Sequence, residues 1–163
     1  MSEQAVIDSP GFTRKGLQMA LRVPVAQFTR LQEALKESTG ELDFVLSGFV
    51  DPQEGAMLRL SIAGQLRLVC QRCLGPVDHS LALNRQFVLY AEENQLGDLA
   101  EENPEVDHIL GSRNMNVLDL VEEEVLLSLP LFPRHAEAAC RLASTEVAAT
   151  HRPMAGLKEL WGR

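Results

Sequence analysis

The residues of this chain best suited to chemistry are its three cysteines and one histidine. Cys70-Gln71-Arg72-Cys73 closes an alternating apolar segment, and His135 and Cys140 follow far downstream, so that all three cysteines fall into one set. A Cys-x-x-Cys turn brings two thiolates to one ion at about 2.3 Å, and a distal His and Cys complete a tetrahedral Cys3His set suited to zinc. Two other readings of the same residues stay open. Cys70 lies in the apolar phase of its segment and could be a small buried hydrophobe, as could Cys140. Redox or covalent chemistry is the third reading, although a thioredoxin-like pair belongs at a helix start, where the macrodipole lowers the thiol pKa, and this pair ends a strand pattern.

No other constellation competes. The sequence contains no Gly-x-Ser-x-Gly, no phosphate loop and no dinucleotide fingerprint, so no catalytic set is assigned and the chain reads as a non-enzyme. Glu122-Glu123-Glu124 are consecutive on an expected helix and point in different directions, which is wrong for paired acid/base carboxylates. His79 and His108 have no consistently spaced partners.

Charge narrows the partner classes. With 15 Lys+Arg against 23 Asp+Glu among 163 residues, the net charge is −8, which argues against a protein that wraps nucleic acid by summed charge. Arg59, Arg67 and Arg72 could still form a local positive strip, with Arg85 and Arg134 as further candidates, but no aromatic residue interleaves the strip to stack bases. Glu122, Glu123 and Glu124 are the corresponding candidates for holding a basic protein partner. The opening MSEQAVIDSP does not read as a secretory signal, and no apolar run is long enough for a membrane span, so a cytoplasmic protein without membrane contact is expected. An odd cysteine count argues against a disulfide framework.

The elements that must position these residues follow from periodicity. Residues 1–20 read as a flexible N-terminal segment, with a turn at Asp8-Ser9-Pro10-Gly11. Val25, Phe28, Leu31 and Leu35 predict a short amphipathic helix over 24–38. Leu42, Phe44 and Leu46 alternate in one strand. Leu58, Leu60, Ile62, Leu66, Leu68 and Cys70 share a face of a second, with Arg59, Gln65 and Arg67 opposite. After the turn at Leu74-Gly75-Pro76 a third strand begins, carrying Val77, His79, Leu81, Leu83, Arg85, Phe87 and Leu89. Residues 91–107 hold seven acids and no Lys or Arg, and read as an acidic solvated loop. A second helix is expected over 116–129, with Leu118, Val121, Val125 and Leu129 inward and Glu122 to Glu124 outward, ended by Pro130. A last short helix is expected within 151–163. The class is α+β: an antiparallel sheet with flanking helices in a single domain over 21–163, with the periodicity leaving open whether the sheet curls toward a barrel.

In combination these segments resemble the YceD family of large ribosomal RNA subunit accumulation proteins. The resemblance is carried by Cys70-Gln71-Arg72-Cys73, by Leu118-Asp119-Leu120-Val121-Glu122-Glu123-Glu124-Val125 running into Leu127-Ser128-Leu129-Pro130, by Pro133-Arg134-His135 with Cys140, and by Pro153-Met154-Ala155-Gly156-Leu157. It implies a non-enzymatic factor supporting synthesis, processing or stability of 23S rRNA; the net charge of −8 adds the expectation of contact with a ribosomal protein or large-subunit assembly intermediate through the acidic helix face or acidic loop, with an indirect effect on the rRNA. Many relatives outside the proteobacteria carry extra cysteines after the proline-rich segment, and the resemblance implies either a metal module reduced here to one ion on Cys70, Cys73, His135 and Cys140 or one that has been lost. Two alternatives stand beside this reading: a direct RNA-binding module, and a small zinc-binding interaction domain unrelated to rRNA.

Overall fold

The computed structural model describes residues 5–91, 106–136 and Cys140. In chain order it comprises β1 (Val6–Ile7), α1 (Ser9–Arg14), β2 (Gln18–Pro24), two 3-10 turns (Val25–Gln27 and Leu31–Ala34), β3 (Leu35–Glu37), β4 (Glu41–Asp51), β5 (Gly55–Val69), β6 (Pro76–Tyr90), β7 (Asp107–Leu110), β8 (Met115–Asn116) and α2 (Val117–Ser128). The main sheet runs β2-β4-β5-β6-β7, with β3 also paired to β5, and the path ends at β2 and β7 without closing into a barrel. All its pairings are antiparallel except β6 with β7. The class is therefore α+β, as the alternation implies.

One face of this sheet makes the core. Leu42, Phe44 and Leu46 of β4, Leu58, Leu60, Ile62, Leu66 and Leu68 of β5, and Leu81 and Phe87 of β6 are all buried. Because side chains alternate along a strand, each run of apolar residues two apart delivers a continuous inner surface while its neighbours stay wet. Over that surface lie Phe12 of α1, Val25, Phe28 and Leu31 of the turns, and the stripe Val117, Val121 and Val125 of α2. The start of α2 is set by Asn116, whose side chain accepts the Leu118 N–H at 3.1 Å.

Three expectations are corrected. The helix expected over 24–38 is absent; the segment forms two 3-10 turns and the short strand β3. Val25, Phe28 and Leu31 are each three residues apart, which suits the three-residue turn of a 3-10 helix as well as the first turns of an α-helix. Residues 5–20 are not a loose segment: they supply β1, α1 and the start of β2, and bury Ser9, Phe12 and Thr13. Ser9 is tied to a segment distant in sequence, its backbone N–H donating to the Ser112 carbonyl at 2.9 Å and its Oγ accepting the Ser112 N–H at 2.9 Å. The third correction is on α2, where Glu122 and Glu124 turn inward. The acidic run at 91–107 lies almost wholly outside the described residues, with only Ala91 and residues 106–107 within them, and the helix expected within 151–163 lies outside them altogether.

α1 can lie against the sheet because Gly48 has no side chain: a Cβ there would meet Phe12 Cδ1 at 2.7 Å and Thr13 Cα at 2.9 Å. Gly48→Ala is expected to lower stability by about 1–3 kcal/mol, the usual penalty for overpacking. The midpoint of urea unfolding reads this; an unchanged midpoint would show that α1 is not firmly seated.

Candidate metal centre and its surroundings

β5 carries Cys70 on its apolar face to the very end of the strand, where it is fully buried. The chain then reverses in a tight turn before β6. Cys70 donates its N–H to the Gly75 carbonyl and accepts the Leu74 N–H, both at 2.9 Å, and Leu74 takes a left-handed φ of 58° to close the loop. A second segment arrives from α2. Pro130 ends that helix, and the Pro133 carbonyl accepts the Gln71 N–H at 2.9 Å, so the turn and the late segment are joined by backbone before any side chain is considered.

His135 follows two residues later. Its Nε2 lies 2.7 Å from the Pro76 carbonyl, which can only accept, so Nε2 carries the proton. In the neutral ring Nδ1 is then bare, and it points at Cys73 Sγ, 3.4 Å away. Cys140, whose N–H reaches the Ala136 carbonyl, places its sulfur 3.9 Å from that of Cys70. The four ligand atoms all lie within 4.8 Å of one another. A tetrahedral ion with metal–sulfur bonds of about 2.3 Å sets its sulfurs about 3.8 Å apart, so the spacing fits. The structure thus brings Cys70, Cys73, His135 and Cys140 into one cluster that could hold a metal ion.

The thiols are unequal. The backbone N–H of Cys73, aided by those of His135 and Arg72, holds the Cys70 thiol down at about 5 against the effect of burial. Burial, then hydrogen bonds with the Cys73 and Cys70 sulfurs, pushes Cys140 up to about 11. The Pro76 carbonyl raises His135. The backbone donors thus favour the thiolate of Cys70, whereas burial favours the protonated thiol of Cys140, whose proton a bound metal would have to displace.

The other candidate residues fare differently. Glu122 and Glu124 are only 6% exposed. Glu122 accepts from Arg30 Nε and from the Leu31 N–H, both at 3.0 Å, while Glu124 meets Arg85 Nε at 3.1 Å. Burial raises Glu124's pKa, with Arg85 opposing. These two carboxylates therefore clamp α2 to the sheet and the second 3-10 turn, and Glu123 alone of the three faces solvent. The expected strip of Arg59, Arg67 and Arg72 is also dispersed. Arg67 is held by Glu37 at 2.8 Å and Asp78 at 3.3 Å, and Arg59 lies over the Phe49 ring. Arg72 remains exposed at the metal turn. Arg134, one of the further arginine candidates, is exposed next to His135, and Phe132, which periodicity did not single out, is exposed and lines the same cavity as Arg134.

A small open-sheet domain with a partly buried Cys3His cluster at one sheet end is the class this geometry defines. Residues 58–158 match the family described as large ribosomal RNA subunit accumulation protein YceD, and the chain belongs to that family. It is similar to the large ribosomal RNA subunit accumulation protein YceD of Haemophilus influenzae, 29% identical over 123 residues, which cover 74% of this chain and 68% of that relative. No solved structure matches the chain. Among the described residues no helix is long and apolar enough to cross a membrane.

Two measurements follow. Zinc titrated into chelator-treated protein is expected to bind one to one, with an affinity rising at least tenfold per pH unit through neutrality, because at least one proton leaves with each ion bound. The Cys140→Ser variant, having lost the high-pKa ligand, should bind far more weakly and with a shallower slope; a pH-independent affinity in the parent protein would contradict the assignment. Removing Glu122 as Glu122→Ala leaves the buried Leu31 N–H unpaired and should cost about 1–3 kcal/mol in unfolding experiments, against little change for Glu123→Ala.

Proposed function

We propose that this protein is a non-enzymatic cytoplasmic factor supporting the synthesis, processing or stability of 23S rRNA during large ribosomal subunit biogenesis. Its partner in this reading is a ribosomal protein or a large-subunit assembly intermediate. Membership of the YceD family supports the connection with large-subunit rRNA. The observation that supports the non-enzymatic part is the composition of the cluster: with a zinc ion bound, four protein ligands would fill its tetrahedral shell and leave no position for water or substrate, as in structural zinc sites. Zinc held by Cys70, Cys73, His135 and Cys140 would then contribute folding free energy and join the β5–β6 turn to the segment after α2.

The inward turn of Glu122 and Glu124 changes where a partner is sought. A basic protein would reach those two carboxylates only by displacing Arg30 and Arg85, which favours a docking surface other than Glu122 and Glu124. In cells lacking the chain, re-expression of the parent protein should restore the level of 23S relative to 16S rRNA, and a Cys70→Ser/Cys73→Ser variant should restore it poorly. Full restoration by that variant would separate the metal centre from the function, and an unchanged 23S level on deletion would overturn the proposed role.

A further inference from the structure

The metal centre assembles something beyond itself on its outer side. The hydrogen bond from the Gln71 N–H to the Pro133 carbonyl aligns two stretches of backbone, and the next residue on each strand of that junction is an arginine. Arg72 and Arg134 are both exposed, and among the described residues neither forms an ion pair, whereas Arg22, Arg30, Arg67 and Arg85 each hold a carboxylate. Two exposed arginines thus follow directly on the two sides of this backbone junction, with no ion pair to either among the described residues.

An aromatic ring lines the same cavity as Arg134. Of the six phenylalanines, Phe12, Phe28, Phe44 and Phe87 are buried and Phe49 lies under Arg59, but Phe132 is 69% exposed. It is not on a loose loop: Pro130 and Pro133 bracket it and Pro133 is tied to the metal turn. Beside the ring opens a cavity of about 280 Å³, walled by Val77, His79, Pro130, Phe132 and Arg134. Asp78 also lines it, but that carboxylate is already drawn to Arg67 at 3.3 Å. The overall charge of −8 does not speak against an anion here, because the run 92–107 alone contains seven acids and no Lys or Arg, and the remainder of the chain is close to neutral.

An exposed ring and two exposed arginines, carried on two segments joined by a backbone hydrogen bond, match the chemistry of an unpaired nucleotide, whose base presents a π-face and whose backbone presents phosphates. We infer that Arg72, Phe132 and Arg134 form a contact site for single-stranded RNA, the guanidiniums taking phosphates and Phe132 stacking on a base. This rests on the reading of the protein as a 23S rRNA factor and makes the rRNA contact direct. An apolar protein partner seated on Leu127, Leu131 and Phe132 is the competing occupant, but it would leave the two guanidiniums without a role.

The test uses the full-length zinc-loaded protein and fluorescence anisotropy with labelled single-stranded oligoribonucleotides drawn from 23S rRNA loops. The Arg72→Ala/Arg134→Ala variant should bind more weakly and show a slope of log affinity against log salt that is shallower by about 1.4, at about 0.7 per phosphate lost. Phe132→Ala should weaken binding about fivefold to a hundredfold, the range for one stacked base, and Phe132→Trp should retain binding and show quenching of indole fluorescence. Arg22→Ala, which removes an ion-paired arginine at the far edge of the sheet, should leave affinity unchanged. Zinc content and unfolding midpoint measured on each variant separate loss of the site from loss of the fold. Unchanged affinity and salt slope in the double-arginine variant would overturn the inference, as would absent RNA binding by the parent protein together with Phe132-dependent capture of a ribosomal protein. In that last case restoration of 23S levels in cells would still stand, so the two failures are distinguishable.

Discussion

Thirteen consecutive residue pairs join β5 to β6, from Met57 with Val88 to Val69 with Pro76, and the remainder of the structure is arranged around that ladder. Its period of two assigns every second residue of β5 to the core. A slip of one residue would turn Leu58 to Leu68 toward solvent and Arg59 to Arg67 inward, so burial of this face holds the register firmly. The same phase carries Cys70 inward at the end of β5 and leaves the short turn to Pro76 as the place where two thiols can meet. The Cys/His cluster is a consequence of sheet register before it is a matter of ligand chemistry.

α2 closes the core by a different device. Its valine stripe supplies the apolar contact, and the two carboxylates on either side of Glu123 are buried with arginines from other elements, Arg30 and Arg85. Ion pairs with one buried partner contribute less to net stability than to orientation, since removing water from a carboxylate is costly and only a well-placed donor offsets it. Here both pairs act on the rotation of α2 about its axis. That rotation aims the segment after Pro130 at the turn between β5 and β6, where Pro133 and then His135 arrive. Core, clamp and metal cluster therefore work in series, and the exposed edge containing Arg72, Phe132 and Arg134 is their last product.

Much of this was legible in the residues. The strand alternation around Leu42–Leu46 and Leu58–Cys70, the turn at Gly75-Pro76, the capped start of α2 and the four-member Cys/His set all have local signatures. The failures are instructive in physical terms. Val25, Phe28 and Leu31 recur at an interval shared by two kinds of helix, and the tie is broken by β3, which needs Leu35 on the sheet. α1 has six residues, too few to show a period, and its seat depends on Gly48 thirty-odd positions later. Glu122 and Glu124 read as solvated because carboxylates almost never enter a core unpaired, and their partners lie at Arg30 and Arg85, far away in the chain.

The sequence by itself determined the class of the fold, the elements whose period is unambiguous, and the residues able to bind a soft metal, because side-chain alternation and ligand type are local properties. Only the tertiary structure decided which charges remain free. An arginine or glutamate carries the same charge wherever it stands, and whether it faces water, a buried counter-ion or a prospective ligand depends on what long-range packing sets beside it. Arg67 and Arg72 are five residues apart and end in opposite circumstances for that reason, one held between two carboxylates and the other exposed at the metal turn.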